Sequence, residues 1–135
     1  MKISEKDAQV LRNIVKHCDA IVDTARYFGS AEKVFLKNHI YRSSVSMNLQ
    51  SIGELVKHLS DDFVKQAGEI PWKQIKGQRN IFAHGYDTEV GFSKVWATVE
   101  KDIPALREFC VALLLENGYK LIKLEFVAKR ENVKE

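Results

Sequence analysis

Few features of this 135-residue sequence announce a chemistry by themselves, and its scarcities narrow the field first. Only two cysteines are present, Cys18 and Cys110. Each falls in an apolar helical pattern, which reads as a small core residue rather than half of a disulfide or a reactive thiol. With two prolines, Pro71 and Pro104, and seven glycines, there is no low-complexity linker, no glycine-rich phosphate loop and no nucleophile elbow. Long apolar runs are missing as well. The run from Val111 to Leu115 falls far short of the ~20 residues a membrane span needs, and the opening MKISEKDAQV lacks the apolar region of a signal peptide. A cytoplasmic chain without a membrane partner is the expectation. His17, His39 and His58 are scattered without ligand spacing, so neither a metal nor a cofactor is expected. The formal net charge is +3, from 21 Lys and Arg against 18 Asp and Glu, too little to predict a nucleic-acid binder from global electrostatics.

What the sequence does have is helical periodicity. Ala8, Leu11, Val15, Cys18, Val22 and Ala25 recur at steps of three and four, the pattern of one helix facing a core. Ser4, with an acid three residues later, opens it, and Gly29 closes it. A second long segment from Lys33 to Ser60 carries Phe35, Ile40, Val45, Leu49, Ile52, Val56 and Leu59 at similar spacing. A short helical turn and a loop come next. Pro71 then suits the first position of a helix running to about His84, where Gly85 offers a cap. The stretch from Phe92 to Gly118 supplies a further helix with Val95, Val99, Ile103, Leu106 and Leu113 inward and a kink or break at Pro104. The fold class expected is all-α, a four- to five-helix up-down bundle over residues 1–118. Residues 119–135 form a charged C-terminal extension of unassigned structure, in which Ile122, Leu124 and Phe126 alternate as in a strand but also permit helix.

The segment GQRNIFAHGYDTEV, residues 77–90, concentrates the candidate chemistry. Between Pro71 and Tyr86 lie Lys73, Lys76 and Arg79 and no carboxylate, a local positive excess suited to a phosphate, although three cations on a short helix also describe an ordinary solvated face. At ~100° per residue, Trp72, Ile75, Phe82 and Ala83 form an apolar stripe that contains Arg79. A guanidinium there reaches solvent along its stem or pairs with a carboxylate such as Glu54. Asn80 and His84, four apart, share another face with Lys73. His84 sits at a helix C-terminus, where the dipole favours imidazolium, a useful state for a residue that exchanges protons with two oxygens. Five residues separate Arg79 from His84, ~140° around the axis, so one chain does not easily aim both at one phosphate. Two chains packed about a two-fold axis do. On spacing alone, a capped helix end with a structural ion pair is the simpler account.

Resemblance shifts that balance. Arg79, four residues, His84, one residue and Tyr86, within RNIFAHGY, resembles the signature of the HepT-like branch of the HEPN superfamily. The stretches NLQSIGELVKHLS from Asn48, IPWKQIKGQRN from Ile70 and VWATVEKDIPALREF from Val95 are similar to the family's other recognisable pieces, in the same order, and the resemblance runs to about Leu115. It implies an all-α bundle that forms a homodimer and acts as the ribonuclease toxin of a toxin–antitoxin pair, with a minimal nucleotidyltransferase as antitoxin. Carried over onto this sequence, Arg79 and His84 are the catalytic pair and Asn80 the polar residue beside the arginine. Tyr86 is the hydroxyl that the antitoxin modifies with AMP; Glu54 and Lys73, which helix geometry singles out, are the expected supporting residues. The implied substrate is RNA, with tRNA a candidate, cleaved without a metal. The rival reading is a non-catalytic interaction or substrate-binding subunit for a nucleotidyltransferase, and a third is a plain nucleotide-binding helical dimer.

Overall fold

The computed structural model describes residues 1–83 and 89–124, the side chains of 78–83, 89 and 90 excepted. Among these residues the chain is all helical: α1 (Glu5–Phe28), α2 (Glu32–Lys37), α3 (His39–Val56), α4 (Asp61–Gln66), α5 (Trp72–Ala83), α6 (Glu89–Ala97), a π-helical turn (Thr98–Asp102) and α7 (Ile103–Glu116). Four rods carry the bundle, namely α1, α3, α5 and the run formed by α6, the π turn and α7. The short α2 is an addition to the expected helices, and α4 is the short helical turn expected after the second segment.

Local sequence accounts for the ends of these elements. Ser4 Oγ accepts the backbone N–H of Asp7 at 3.0 Å, capping α1. The Asp7 carboxylate does not turn back to complete a capping box. It is buried and accepts from Ser60, at 2.8 Å from the backbone N–H and 2.6 Å from Oγ. Because Ser60 Oγ also accepts the Phe63 N–H at 3.2 Å, one buried carboxylate ties the start of α1 to the start of α4. A buried charge is tolerable only with such hydrogen bonds in place. At the same end of the bundle, where the Ile3 N–H reaches Asn117 Oδ1 at 3.2 Å, Gly118 has φ +80°. The Gly118 N–H reaches Leu115 O and the Tyr119 N–H reaches Leu114 O, each at 3.0 Å. These are the paired bonds of a Schellman stop, and they require the left-handed residue that glycine supplies.

Three expectations are corrected. The segment from Lys33 is not one helix: Asn38 interrupts it, and its Oδ1 accepts the N–H groups of Ile40 at 3.0 Å and Tyr41 at 3.1 Å, starting α3 afresh. That cap resets the phase, so Ile40 is 58% exposed and Tyr41 is buried in its place. Val22 is half-buried rather than central, while Val10, Ile14 and Ile21 widen the core face of α1. Pro104 lies in the first turn of α7, where its missing N–H matters least. The π turn ahead of it lets the Ile103 N–H reach back five residues to Thr98 O, so the rod passes the proline without a break. Val95, Val99, Ile103, Leu106 and Leu113 are buried along that rod as expected.

Cross-links fix how the rods pair. His17 bonds Asn48 at 2.8 Å and Thr24 bonds Ser44 at 3.2 Å; with Asp7 on Ser60, these contacts run in opposite order along α1 and α3, so the two helices are antiparallel. Asp19 and Arg107 ion-pair across α1 and α7. On α3 the far face packs against α5. Between α2, α3 and α6, Phe35, Tyr41 and Trp96 form an aromatic cluster with centroids 5.1 to 6.3 Å apart. The Tyr41 hydroxyl is buried with no hydrogen-bond partner among the described residues, and burial pushes its pKa up to about 12. Burial likewise pushes the Cys18 thiol up to about 12 and raises that of Cys110, which keeps both as inert thiols of the core.

Candidate active site

The candidate site belongs to α5 and to the residues just beyond its C-terminus. The start of the helix is firmly held. Trp72, 4% exposed, inserts between Phe63 and Phe109, with ring centroids 5.7 and 6.2 Å away, and its indole N–H donates to Ala67 O at 2.9 Å. Pro71 stands just before the helix rather than in it, and its carbonyl accepts from the N–H groups of Gln74 and Ile75, each at 3.1 Å. Proline at this point costs no intrahelical bond, and tryptophan buries a large apolar area while its one polar atom is satisfied.

From that anchor the helix carries the candidate residues forward. Lys73 is exposed in the first turn and Lys76 one turn on. The backbone of Arg79 and Asn80 continues the same helix. A seven-residue step returns to within ~20° of the starting direction, so Arg79 follows Trp72 along one face and Asn80 follows Lys73 along another. The helix ends at Ala83. His84 and Tyr86 lie outside the described residues, as does any pairing made by the side chain of Arg79. The structure therefore brings Lys73, Arg79 and Asn80 together on one helix, and Glu54 onto the neighbouring α3.

Glu54 is exposed, and its carboxylate lies 3.4 Å from Nζ of Lys57, the C-cap of α3. Lys57, Asp61, Lys73 and Lys76 rim a cavity of about 300 Å³ whose apolar side is formed by Val56 and Trp72. The positive excess noted along residues 71–86 is thus joined in space by Lys57, the residue that follows α3, a contribution that linear spacing does not reveal. Such ammonium groups hold phosphate oxygens as mobile point charges rather than as a fixed fork. Among the described residues no three His, Cys, Asp or Glu side chains converge on a position suited to a metal ion, and no helix is long and apolar enough to cross a membrane.

An all-α bundle of HEPN-like architecture, with an Arg-Asn pair on its third long helix, defines the class. Comparison with known proteins gives the family. The model of the ribonuclease HepT-like family matches residues 17–113. A protein of Thermococcus cleftensis described as a probable ribonuclease HepT is 32% identical over 107 residues, 79% of this chain and 93% of that one. A candidate RNase of Caldanaerobacter subterraneus is 30% identical over 98 residues, 73% of this chain and 85% of its own length. One from Methanocaldococcus jannaschii is 26% identical over 107 residues, 78% and 95% of the two chains. No solved structure matches. The chain belongs to the HepT-like ribonuclease family.

Proposed function

We propose that this chain is a metal-independent RNA endonuclease, the toxin of a HepT-type toxin–antitoxin pair, acting as a cytoplasmic homodimer. The observation that carries the reading is the family match over residues 17–113, a range that includes Arg79, Asn80, His84 and Tyr86. A pure scaffold has no chemical need for that set.

The proposed chemistry uses only side chains. His84 assists removal of the 2′-OH proton of one ribose, and the 2′-oxygen attacks the adjacent phosphorus. Arg79 stabilises the charge that grows on the pentacoordinate phosphate, with Asn80 as a neutral donor beside it. The 5′-oxygen leaves with a proton, producing a cyclic phosphate end and a free 5′-hydroxyl. Because the five-residue spacing of Arg79 and His84 does not easily let one chain aim both at one phosphate, two copies of the segment about a two-fold axis supply a complete set. Lys73, Lys76 and Lys57 extend the positive surface along which an RNA backbone runs on its way to Arg79.

The test is cleavage of total tRNA by the purified, unmodified protein in excess EDTA. Fragments ending in a cyclic phosphate are the expected result. Intact RNA under those conditions removes the proposal and leaves the interaction subunit as the better account.

Control by the antitoxin is explained by position. Tyr86 is two residues beyond His84, and AMP on its hydroxyl adds a phosphodiester charge and the bulk of a nucleotide where the RNA phosphate must bind. Tyr86→Phe is expected to keep cleavage near wild type and to gain no mass when incubated with the nucleotidyltransferase and ATP. Adenylylation of that variant at the wild-type level, read by intact-mass spectrometry, contradicts the assignment.

A further inference from the structure

The lysine-rimmed cavity beside α5 has an apolar floor as well as a charged mouth. Three helices build the floor: Val56 ends α3, Val64 belongs to α4 and Trp72 begins α5. Val56 and Trp72 are buried and Val64 is half-buried. Because Trp72 is held between Phe63 and Phe109 and donates to Ala67 O, the hollow is a fixed part of the bundle. Around its mouth stand the exposed Lys57, Lys73 and Lys76, and neither Lys73 nor Lys76 has a carboxylate partner among the described residues. Asp61, also exposed, adds one carboxylate to the same rim. A solvated row of lysines needs no hollow beneath it. Cations ringing an apolar hollow suit a ligand that is flat and weakly polar at one end and anionic at the other.

We propose that this cavity is a nucleotide subsite: one unpaired RNA base enters against Val56, Val64 and Trp72, while Lys57, Lys73 and Lys76 hold the phosphates on either side of it. The subsite rests on the ribonuclease reading and adds a place where a base, not the backbone alone, is gripped. Size favours a single base, since about 300 Å³ is the lower end of the range for small-ligand pockets. Charge favours phosphate, because three ammonium groups face one carboxylate, and an inorganic anion would have no use for the apolar floor. Asp61 accepts a hydrogen bond from the base edge. All four RNA bases carry an N–H there, so the carboxylate anchors a base without choosing among them. Bases splayed out of a single strand into apolar pockets are the usual way proteins hold RNA. Position agrees as well: Arg79 is seven residues beyond Trp72 on α5, ~10 Å along the axis, so a strand gripped at the cavity passes the helical position of Arg79 within a short reach.

Fluorescence anisotropy with the full-length wild-type chain tests this, using a labelled 2′-O-methyl oligouridylate and its baseless counterpart of equal length. Neither probe has the attacking hydroxyl of the proposed cleavage, so binding is read apart from catalysis. The oligouridylate is expected to bind about 10-fold more tightly, the scale of one base held on an aromatic and apolar wall. Val64→Phe, which fills the cavity and leaves the lysines in place, is expected to remove most of that preference while the baseless probe binds as before. Equal binding of the two probes by wild type overturns the subsite, as does a preference that survives Val64→Phe; RNA cleavage that persists in either case leaves the ribonuclease reading standing. Full preference in a chain that cuts no RNA removes the nuclease reading and keeps the cavity as a nucleotide site. Displacement of the oligouridylate by an equal concentration of uridine monophosphate assigns the cavity to free nucleotides and overturns its role in RNA binding. Should Val64→Phe fold poorly, photocrosslinking of a 4-thiouridine oligomer to wild type gives an independent reading. Cross-links to the peptides that carry Val64 or Trp72 are expected, and cross-links confined to other segments overturn the proposal.

Discussion

Replacing His84 with alanine is expected to lower RNA cleavage by about 10²–10⁴-fold, the contribution of one positioned proton-transfer group, while the far-UV circular dichroism stays that of the wild type. On the proposed mechanism the loss belongs in kcat more than in KM, because the lysines proposed to attract the phosphate backbone are untouched and the proposed role of His84 is played chiefly in the transition state. The remaining activity would come from Arg79, whose charge stabilisation does not depend on the imidazole. A variant that cleaves at the wild-type rate removes His84 from the mechanism. A variant that loses affinity and turnover together, with an altered dichroism spectrum, reports a structural cap instead.

The two halves of this candidate site differ in how far the sequence exposes them. Helical periodicity suffices for the bundle: the inward residues of α1 and of the α6–α7 rod are buried with few exceptions, since a 3.6-residue period has no competing interpretation over stretches of that length. It fails at Asn38, where a side chain that accepts two backbone N–H groups ends one helix and begins another within a continuous apolar pattern. Ile40 and Tyr41 exchange roles there because a cap resets phase and composition does not record it. Asp7 shows a second limit. Its spacing from Ser4 suggests a local box, yet its carboxylate serves Ser60, 53 residues away. Long-range partners of this kind carry no signature in a linear pattern. Arg79, Asn80, His84 and Tyr86 are legible only as a set, by their resemblance to a family, because each type alone fits an ordinary helix end. Lys57 is the converse case: nothing in its sequence neighbourhood connects it to Lys73 and Lys76, and the packing of α3 on α5 supplies the connection.

Trp72 links the stability of the bundle to the placement of the site, and two substitutions separate its contributions. Trp72→Ala removes a buried aromatic and is expected to cost about 3–5 kcal/mol, a fall in Tm of roughly 10 °C or more for a domain of this size. Trp72→Phe keeps most of the packing against Phe63 and Phe109 but withdraws the indole N–H from Ala67 O. Its cost is expected near 1–3 kcal/mol, that of a buried carbonyl left without a donor. Denaturant unfolding of both variants measures these values, and a Trp72→Ala cost below about 1 kcal/mol would show that the first turn of α5 is not anchored through this side chain. Activity should be read well below both transitions, where nearly all molecules are folded. Arg79 lies seven residues, two turns, beyond Trp72 on the same helix, so a loosened first turn lets the whole rod rock and carries the guanidinium with it. Misplacement by an ångström at a phosphate can cost as much as ~10²-fold in rate. A loss of turnover in Trp72→Phe that exceeds its small unfolded fraction would therefore mark the hydrogen bond to Ala67 as part of what aims Arg79. Full activity in that variant would confine the role of Trp72 to stability.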